Sequence, residues 1–203
     1  INFSDKKTLS AIIKILGEDK DAKIIANKIE KYRNTKKIKT PKELAYIISE
    51  AKKKYNNYKK NPATKTFQAL RIYVNQELTE LMLGLTEAAK LLSKGGILIV
   101  VSFHSLEDRI VKNFLHLYSN LRKNPSRYLP LKKNEFNLFE LTCKKALSPS
   151  KEELIENISS RSAKLRYAIR NGNSFVQTDE LKRNFSKYFE LEGMQIWSIM
   201  ISG

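Results

Sequence analysis

Three polar residues with reactive side chains follow one apolar segment of the chain. Ser102, His104 and Ser105 come after residues 97–101, which read Ile-Leu-Ile-Val-Val. Hydroxyl and imidazole groups can accept a hydrogen bond or a proton from a reacting group. The histidine could also anchor its own loop or stack on a base, and the sequence leaves these roles open. We predict that the chemistry of the chain takes place at this point.

A buried strand is predicted to hold these three residues in place. Residues 97–101 are a continuous apolar run after Gly95 and Gly96, which is typical of a central strand covered on both faces of a parallel sheet. In open α/β sheets, ligands bind outside the carboxyl ends of the strands. Ser105 and Asp108 have the spacing of a capping box, which predicts that a helix begins there. The predicted fold class is therefore α/β.

A long amphipathic helix is predicted over residues 66–92, before this strand. Its apolar residues recur in steps of three and four, as expected for a helix that packs on a sheet. Gln68, Arg71 and Asn75 form a polar stripe beside them. Arg71 could hold a phosphate through two hydrogen bonds, and Asn75 could bind a base or its ribose. Fixing the helix against neighbouring loops is an equally good alternative.

Three shorter amphipathic helices are predicted in the first quarter of the chain, over residues 4–16, 19–33 and 40–51. Ser4 is the expected cap of the first, and Thr40 is expected to form a capping box with Glu43 at the start of the third. Their outer faces form either a solvated surface or a surface for an RNA backbone. The basic residues concerned are Lys6, Lys7, Lys14, Lys20, Lys23, Lys28, Lys31, Arg33, Lys36, Lys37 and Lys39.

Two basic connections separate the predicted helices and strands. Residues 52–65 are rich in Lys and Tyr, a composition that suits either base stacking or a solvated helix end and linker. Residues 119–135 contain two prolines and five basic residues, which predicts a loop. The remaining predicted elements are strands over 136–143 and 163–170, a short helix over 152–156 and a helix over 178–191.

The composition favours an anionic partner. Lys and Arg total 38 against 21 Asp and Glu, which gives a net charge of +17. This excess is expected of a phosphate-backbone binder. The alternative is the compositional bias of an AT-rich genome, because most of the basic residues are Lys and the chain is also rich in Asn and Ile. One cysteine, Cys143, excludes an internal disulfide framework and a Cys-based zinc site. We predict no metal site.

The sequence contains no run of 18 apolar residues, and no signal peptide is evident at its beginning. We therefore predict a cytoplasmic protein that does not contact a membrane, or an organellar one if the source is eukaryotic. The chain begins with Ile1 instead of Met, inside a predicted helical region. We expect it to be a fragment of a longer product.

Four segments in order along the chain resemble the RsmH (MraW) family: residues 61–78, Gly95-Gly96, 102–112 and 161–166. The resemblance covers about residues 5–170 and corresponds to the second half of that family's chain. Members are S-adenosylmethionine-dependent methyltransferases that modify N4 of a cytidine in the decoding region of bacterial small-subunit (16S) rRNA. The implied fold is part of a Rossmann-like methyltransferase fold with an inserted small helical domain.

The resemblance also implies a domain organisation. Residues 1–60 correspond to part of the helical insertion that recognises substrate, and residues 61–170 to the carboxyl-terminal half of the methyltransferase domain. Residues 171–203, a helix and an apolar end, remain unassigned. The insertion departs from the family at residues 17–23, where Gly-Glu-Asp-Lys-Asp-Ala-Lys replaces an arginine-rich segment.

Methylation at N4 requires the exocyclic amine of cytosine to attack the sulfonium methyl group in line. Hydrogen-bond acceptors near that amine help to free its lone pair. The resemblance thus makes Ser102, His104 and Ser105 the candidate catalytic residues. The candidate substrate-binding residues are Lys65, Gln68, Arg71, Asn75 and Arg161.

The resemblance implies S-adenosylmethionine as the cofactor, with its main site outside this chain. The family's glycine-rich loop, acidic strand end and Asp-Leu-Gly segment have no counterpart here. Gly95-Gly96 precedes a strand, so it cannot serve as a nucleotide-binding fingerprint. The implied partner is 16S rRNA in the small ribosomal subunit, and a homodimer is left open. The alternative is a non-catalytic basic RNA- or ribosome-binding module derived from this fold.

Overall fold

The computed structural model describes residues 1–52, 61–119 and 136–193. Its contacts divide the chain into two compact units. The first, Ile1–Glu77 with Lys187–Gly203, is called the helical unit here. The second, Leu78–Ser186, is called the sheet unit.

The described part of the helical unit contains α1 (Lys6–Ile15), α2 (Ala22–Arg33), α3 (Pro41–Lys52) and α4 (Thr64–Asn75), together with most of a short helix at Ser186–Leu191. The predicted capping box of α3 is confirmed, because Thr40 and Glu43 exchange hydrogen bonds of 3.2 and 3.3 Å. Asp5 caps α1 by accepting a hydrogen bond from Thr8 N at 2.9 Å. The prediction that Ser4 caps α1 was wrong. The cap is Asp5, one residue later, whose carboxylate also accepts a hydrogen bond from the Thr8 hydroxyl.

The core of the helical unit forms from the apolar stripes of the first three helices. Their spacing of three and four residues places one face of each helix inward. The contribution of α4 comes from partly buried side chains packed against this core. The buried residues of the core are Leu9, Ile13, Ala22, Ile25, Ala26, Ile29, Ile38, Leu44, Ile47, Ile48 and Ala63.

The predicted helix over residues 66–92 is two helices, because Gln76 breaks it. Gln76 has φ 52° and ψ 40°, in the left-handed region. Helix α4 ends at Asn75, and α5 (Glu77–Leu91) begins beyond Gln76. A non-glycine residue rarely adopts this conformation, and the apolar stripe runs on through it. The prediction of a single helix was therefore wrong at this position.

Gly17 marks the closest approach of the α1–α2 connection to α4. A Cβ atom on Gly17 would lie 2.6 Å from the carbonyl oxygen of Ile13 and 2.7 Å from that of Lys65. Both obstacles are backbone atoms, which cannot move without shifting their helices. The position therefore requires glycine for space.

We expect Gly17→Ala to lower the free energy of unfolding by about 1–3 kcal/mol, since the methyl group forces α1 and α4 apart. Urea unfolding followed by circular dichroism measures the change. Gly84→Ala is the matched control: Gly84 lies within α5, where an added Cβ atom would meet nothing within 4 Å. Alanine should stabilise that site by up to about 1 kcal/mol. A Gly17→Ala protein as stable as the parent would contradict this account.

The sheet unit contains a three-stranded antiparallel sheet of order β1-β3-β2. The strands are β1 (Ile97–Ser102), β2 (Phe139–Glu140) and β3 (Lys164–Arg170). The register pairs Ile97 with Ile169 and Ser102 with Lys164. The carboxyl end of β1 therefore lies beside the beginning of β3.

Strand β1 is confirmed, but the expectation that both its faces are covered was wrong for the described residues. Ile97, Ile99 and Val101 are 55%, 60% and 48% exposed, while Leu98 and Ser102 are buried. Within the described part of the chain, β1 pairs on one side only, antiparallel to β3. An apolar run of residues indicates that the residues favour burial, but it does not identify the part of a protein that covers them.

Helix α6 (Ser105–Leu117) packs on this sheet against β1 and β3. Phe114 of α6 lies 4.9 Å from Tyr118 and 6.4 Å from Phe139 between ring centroids. Tyr118 also stacks on Phe175 at 5.4 Å. Burial raises the pKa of Tyr118 to about 12, so its phenol stays neutral in this apolar cluster.

Shorter elements complete the described part of the chain. The predicted strand over 136–143 shrinks to β2, and the predicted helix over 178–191 is two short helices. The strand over 163–170 and the helix over 152–156 are confirmed as β3 and α7, with Ser150 as the cap of α7. These elements are α7 (Lys151–Glu156), a 3-10 helix (Ile158–Ser162), α8 (Glu180–Asn184) and α9 (Ser186–Leu191).

Parts of three predicted segments lie outside the described residues. These parts are residues 53–60 of the first basic connection, residues 120–135 of the second, and the apolar end at 194–203. Across the helices that the structure does describe, none has both the length and the apolar character needed to cross a bilayer.

Candidate active site

Ser102 lies at the carboxyl end of β1, as predicted. Its side chain is buried, and its hydroxyl donates to the carbonyl oxygen of Lys164 at 3.3 Å. This bond fixes the hydroxyl against the first residue of β3. The oxygen retains lone pairs that can accept a hydrogen bond.

His104 caps helix α6. Its Nδ1 accepts from the backbone N–H of Glu107 at 3.3 Å. The Glu107 carboxylate in turn accepts from the backbone N–H groups of His104 at 3.2 Å and Phe103 at 2.8 Å. The capping box is thus His104–Glu107, and the predicted box of Ser105 and Asp108 was wrong by one position.

The capping geometry constrains the chemistry of His104. Because Nδ1 accepts a hydrogen bond, a neutral imidazole carries its proton on Nε2, which lies 3.4 Å from the Glu107 carboxylate. Of the roles left open by the sequence, these contacts favour the loop anchor. A catalytic role for His104 stays a prediction.

We expect His104→Ala to lower the free energy of unfolding by about 1 kcal/mol, because α6 loses its cap. His104→Asn should retain most of the stability, since asparagine is a good cap. Thermal unfolding of the two variants side by side measures the difference. Equal stability of the alanine and asparagine variants would show that the capping bond contributes little.

The two remaining candidates of the sheet unit approach the same end of the sheet. Ser105 is the exposed first residue of α6, so it follows β1 closely. Arg161 is exposed in the 3-10 helix that leads into β3. Because β1 ends where β3 begins, four candidates lie around one end of these strands: Ser102, His104, Ser105 and Arg161. The structure therefore brings these four candidates together.

The four other candidates lie on α4 in the helical unit. Lys65 donates to the carbonyl oxygen of Glu18 at 2.9 Å. Arg71 binds Glu77 through two hydrogen bonds of 2.7 and 3.0 Å, and Asn75 donates to the same carboxylate at 3.2 Å. These contacts favour the positioning role that the sequence left as the alternative. Gln68 is half-buried on the same helix.

An ion-pair cluster behind β1 was missed by sequence reasoning. Asp108 of α6 contacts Arg166 Nε at 2.7 Å and Lys164 Nζ at 3.1 Å, both on β3. Burial raises the pKa of Asp108, but hydrogen bonds from Arg166 and Lys164 outweigh it and leave the pKa below its ordinary value. The alternation of basic and apolar residues in β3 was the available signal, because it places Lys164 and Arg166 on the face that meets α6.

A buried ion pair in the helical unit was also missed. Lys52 Nζ lies 2.6 Å from Asp19 Oδ2, and the two side chains are 4% and 3% exposed. Lys52 also donates to the carbonyl oxygen of Pro62 at 2.9 Å, and Asp19 accepts from Asp21 N at 3.1 Å. No sequence signal distinguishes Lys52 from its basic neighbours. The pair joins the α1–α2 connection to the end of α3.

The predicted basic surface of the helical unit is largely exposed. Each lysine named for it is exposed, and Arg33 is half-buried. Some of these cations have partners: Lys6 contacts Glu30 at 2.8 Å, and Arg33 donates to the carbonyl oxygen of Ile1 at 2.6 Å. Exposure is required for either of the predicted roles and does not distinguish them.

Comparison with known proteins places this α/β chain among the methyltransferases. Residues 1–171 match the MraW methylase family, and the chain belongs to that family. The resemblance drawn from the motifs is thereby confirmed.

Three of the similar curated relatives carry the same name. A ribosomal RNA small subunit methyltransferase H from Wigglesworthia glossinidia brevipalpis is 45% identical over 172 residues, covering 83% of this chain and 55% of the relative. The protein of that name from Sulfurihydrogenibium sp. (strain YO3AOP1) is 44% identical, with coverages of 84% and 53%. That from Parvibaculum lavamentivorans is 39% identical, with coverages of 95% and 57%. The chain spans about half the length of the curated relatives it matches.

Proposed function

We propose that this chain is the substrate side of an rRNA methyltransferase. The reaction is transfer of a methyl group from S-adenosylmethionine to N4 of a cytidine in small-subunit (16S) rRNA. The observation that carries the proposal is the family match over residues 1–171, with relatives named for methylation of small-subunit rRNA. The intact segment from Ser102 to Arg109 at the end of β1 supports it.

The methyl donor does not fit the described residues. The turn from β1 to α6 contains no glycine, and Glu107 occupies the N–H groups of Phe103 and His104. Gly95 has φ 84° but precedes a strand, where it forms no strand-to-helix phosphate loop. We therefore assign the main donor site to a part of the family fold outside this chain.

The exposed apolar face of the sheet supports the proposal that this chain forms only part of the family fold. Ile97, Ile99 and Val101 are about half exposed, and their register partners Ile169, Tyr167 and Leu165 extend the same face. Exposed apolar strand edges invite further pairing. In the proposal, additional strands and helices of a Rossmann-like fold cover this face and edge.

Residues of this chain hold the cytosine in the proposal. The loop that follows Ser102, up to Ser105, offers acceptors to the exocyclic amine, and these acceptors help to free its lone pair as the nitrogen–carbon bond forms and the carbon–sulfur bond of the donor breaks. Ser102, which is buried, holds this loop against β3. Arg161, at the same edge of the sheet, binds a neighbouring phosphate or base edge. His104 positions the loop through its capping bonds.

Residues 1–60 are the part of the helical insertion that recognises rRNA in the proposal, and residues 61–170 belong to the methyltransferase domain. The exposed lysines of α1 and α2 support this assignment, because a phosphate backbone attracts such a surface. In the proposal, four residues of α4 hold that helix in place and contact the substrate where they are exposed: Lys65, Gln68, Arg71 and Asn75.

Methyl transfer to unmodified small ribosomal subunits tests the proposal. Labelled S-adenosylmethionine is supplied with the 203-residue chain, with a chimera that adds the unmatched half of the Wigglesworthia relative, and with that whole relative as positive control. We expect label in rRNA from the chimera and the relative, and none from the chain by itself. A folded chimera without activity that still binds rRNA would overturn the enzyme and leave the non-catalytic binding module.

A further inference from the structure

A basic patch lies on the sheet unit beside the candidate active site. It consists of Lys112 and His116 of α6, Lys164 and Arg166 of β3, and Lys144 in the segment before α7. Arg166 Nη1 lies 3.5 Å from the carbonyl oxygen of Lys144, which joins that segment to β3. Sequence reasoning assigned no role to this combination.

The patch carries more positive than negative charge. Lys164 and Arg166 share one carboxylate, that of Asp108, whose two oxygens both accept from them. Lys112 and Lys144 are exposed, and in the described ranges 1–52, 61–119 and 136–193 neither ammonium has an ionic partner. Four cations therefore face one acid.

The patch also contains the imidazole of His116, whose pKa is lowered. Burial lowers the pKa of His116, and the nearby charges of Lys112, Arg166 and Lys144 lower it further. All three cations thus lie close enough to His116 to act on it. A neutral imidazole adds a hydrogen-bonding group without adding repulsion.

The patch is continuous with the candidate active site. Ser102 donates to the carbonyl oxygen of Lys164 at 3.3 Å, and the Lys164 ammonium enters the Asp108 cluster at 3.1 Å. One residue thus contacts both the site and the patch. A nucleic-acid strand with a base at the loop between Ser102 and Ser105 would reach the patch with its adjoining backbone.

We infer that the basic patch binds the rRNA backbone phosphates that flank the target nucleotide. The inference rests on the proposed function, because it takes rRNA as the substrate. Exposed lysines act as point charges that suit a chain of repeated phosphates. The Arg166 side chain, which is 12% exposed, holds Lys164 and the Lys144 segment in place, while Lys112 and Lys144 make the phosphate contacts.

Salt-dependent binding tests the inference. The double variant Lys112→Gln/Lys144→Gln is compared with Lys94→Gln/Lys187→Gln, which removes the same charge from exposed positions outside the patch. Fluorescence anisotropy with an unmodified decoding-region hairpin gives the affinity from low to moderate salt. Each lost phosphate contact lowers the slope of log K against log salt by about 1, so the patch variant should lose about 2. The control should keep the parent slope.

Three outcomes would overturn the inference: equal slopes for both double variants, an unchanged slope in the patch variant, or equal competition by duplex DNA of the same length. Circular dichroism checks that each variant is folded. Binding is measured without methyl donor, so it can fail independently of the proposed reaction. If the chimera methylates rRNA while the patch variant keeps the parent salt slope, only the inference is wrong. If the chimera is inactive while the patch variant has a reduced salt slope, only the proposed reaction is wrong.

Discussion

Lys52→Met is expected to lower the free energy of unfolding by about 3–5 kcal/mol, the largest effect of any single substitution considered. Removal of the ammonium leaves the Asp19 carboxylate 3% exposed without the cation that lies 2.6 Å from it. The carbonyl oxygen of Pro62 also loses its donor. Urea unfolding monitored by circular dichroism at pH 7 gives the change.

Two further variants identify the buried charge as the cause. Asp19→Asn combined with Lys52→Met removes both charges, and it should recover part of the lost stability. Lys36→Met breaks an ion pair of 3.2 Å whose lysine is 63% exposed, and it should cost less than about 1 kcal/mol. If Lys52→Met cost no more than Lys36→Met, burial would not explain the importance of the pair.

Asp108→Asn is expected to lower the free energy of unfolding by about 2–4 kcal/mol, because Lys164 and Arg166 then repel each other without their shared carboxylate. The stabilisation also depends on pH. The folded state holds the pKa of Asp108 below its ordinary value of 3.8. Near that value the unfolded state therefore binds more protons, so stability rises with pH.

Measurement of unfolding between pH 7 and pH 3 checks this sign. In the parent, the contribution of Asp108 is present above pH 3.8 and is lost as the pH falls through the lowered pKa. The asparagine variant should lack that part of the acid sensitivity. Asp179→Asn, whose carboxylate is 69% exposed and 3.5 Å from Lys182, should change stability by less than about 0.5 kcal/mol. An Asp108→Asn protein with parental acid sensitivity would assign the titration to another group.

Local patterns in the sequence predicted those elements whose determinants lie within a few residues. The capping box of Thr40 and Glu43 forms as expected, because both partners belong to one helical turn. Strands β1 and β3 follow from apolar or alternating residues. Gln76 was not predictable in this way, because the apolar stripe of α4 and α5 continues across it.

The sequence predicted that Ser102 follows a strand end, and the structure has it there, but the role of the site stays a prediction and its contacts were not foreseen. His104 caps α6 although serine is the commoner cap, so the prediction chose Ser105. The ion pairs of Lys52 with Asp19 and of Arg166 with Asp108 join residues 33 and 58 positions apart. Such pairs depend on tertiary packing, and a sequence rich in lysine offers many equivalent partners for each acid.

The half-exposed face of β1 determines how the chain behaves in concentrated solution. In the described sheet β1 is an edge strand, whose unpaired backbone groups offer a template for strand addition between molecules, and the exposed side chains of Ile97, Ile99 and Val101 add apolar surface to it. The net charge of +17 keeps the molecules apart. Salt shortens the range of that electrostatic repulsion to about 10 Å at 0.1 M and about 3 Å at 1 M ionic strength, but it does not weaken the apolar attraction. Colloidal stability is therefore expected to fall as ionic strength rises, so concentrated salt favours aggregation of this chain.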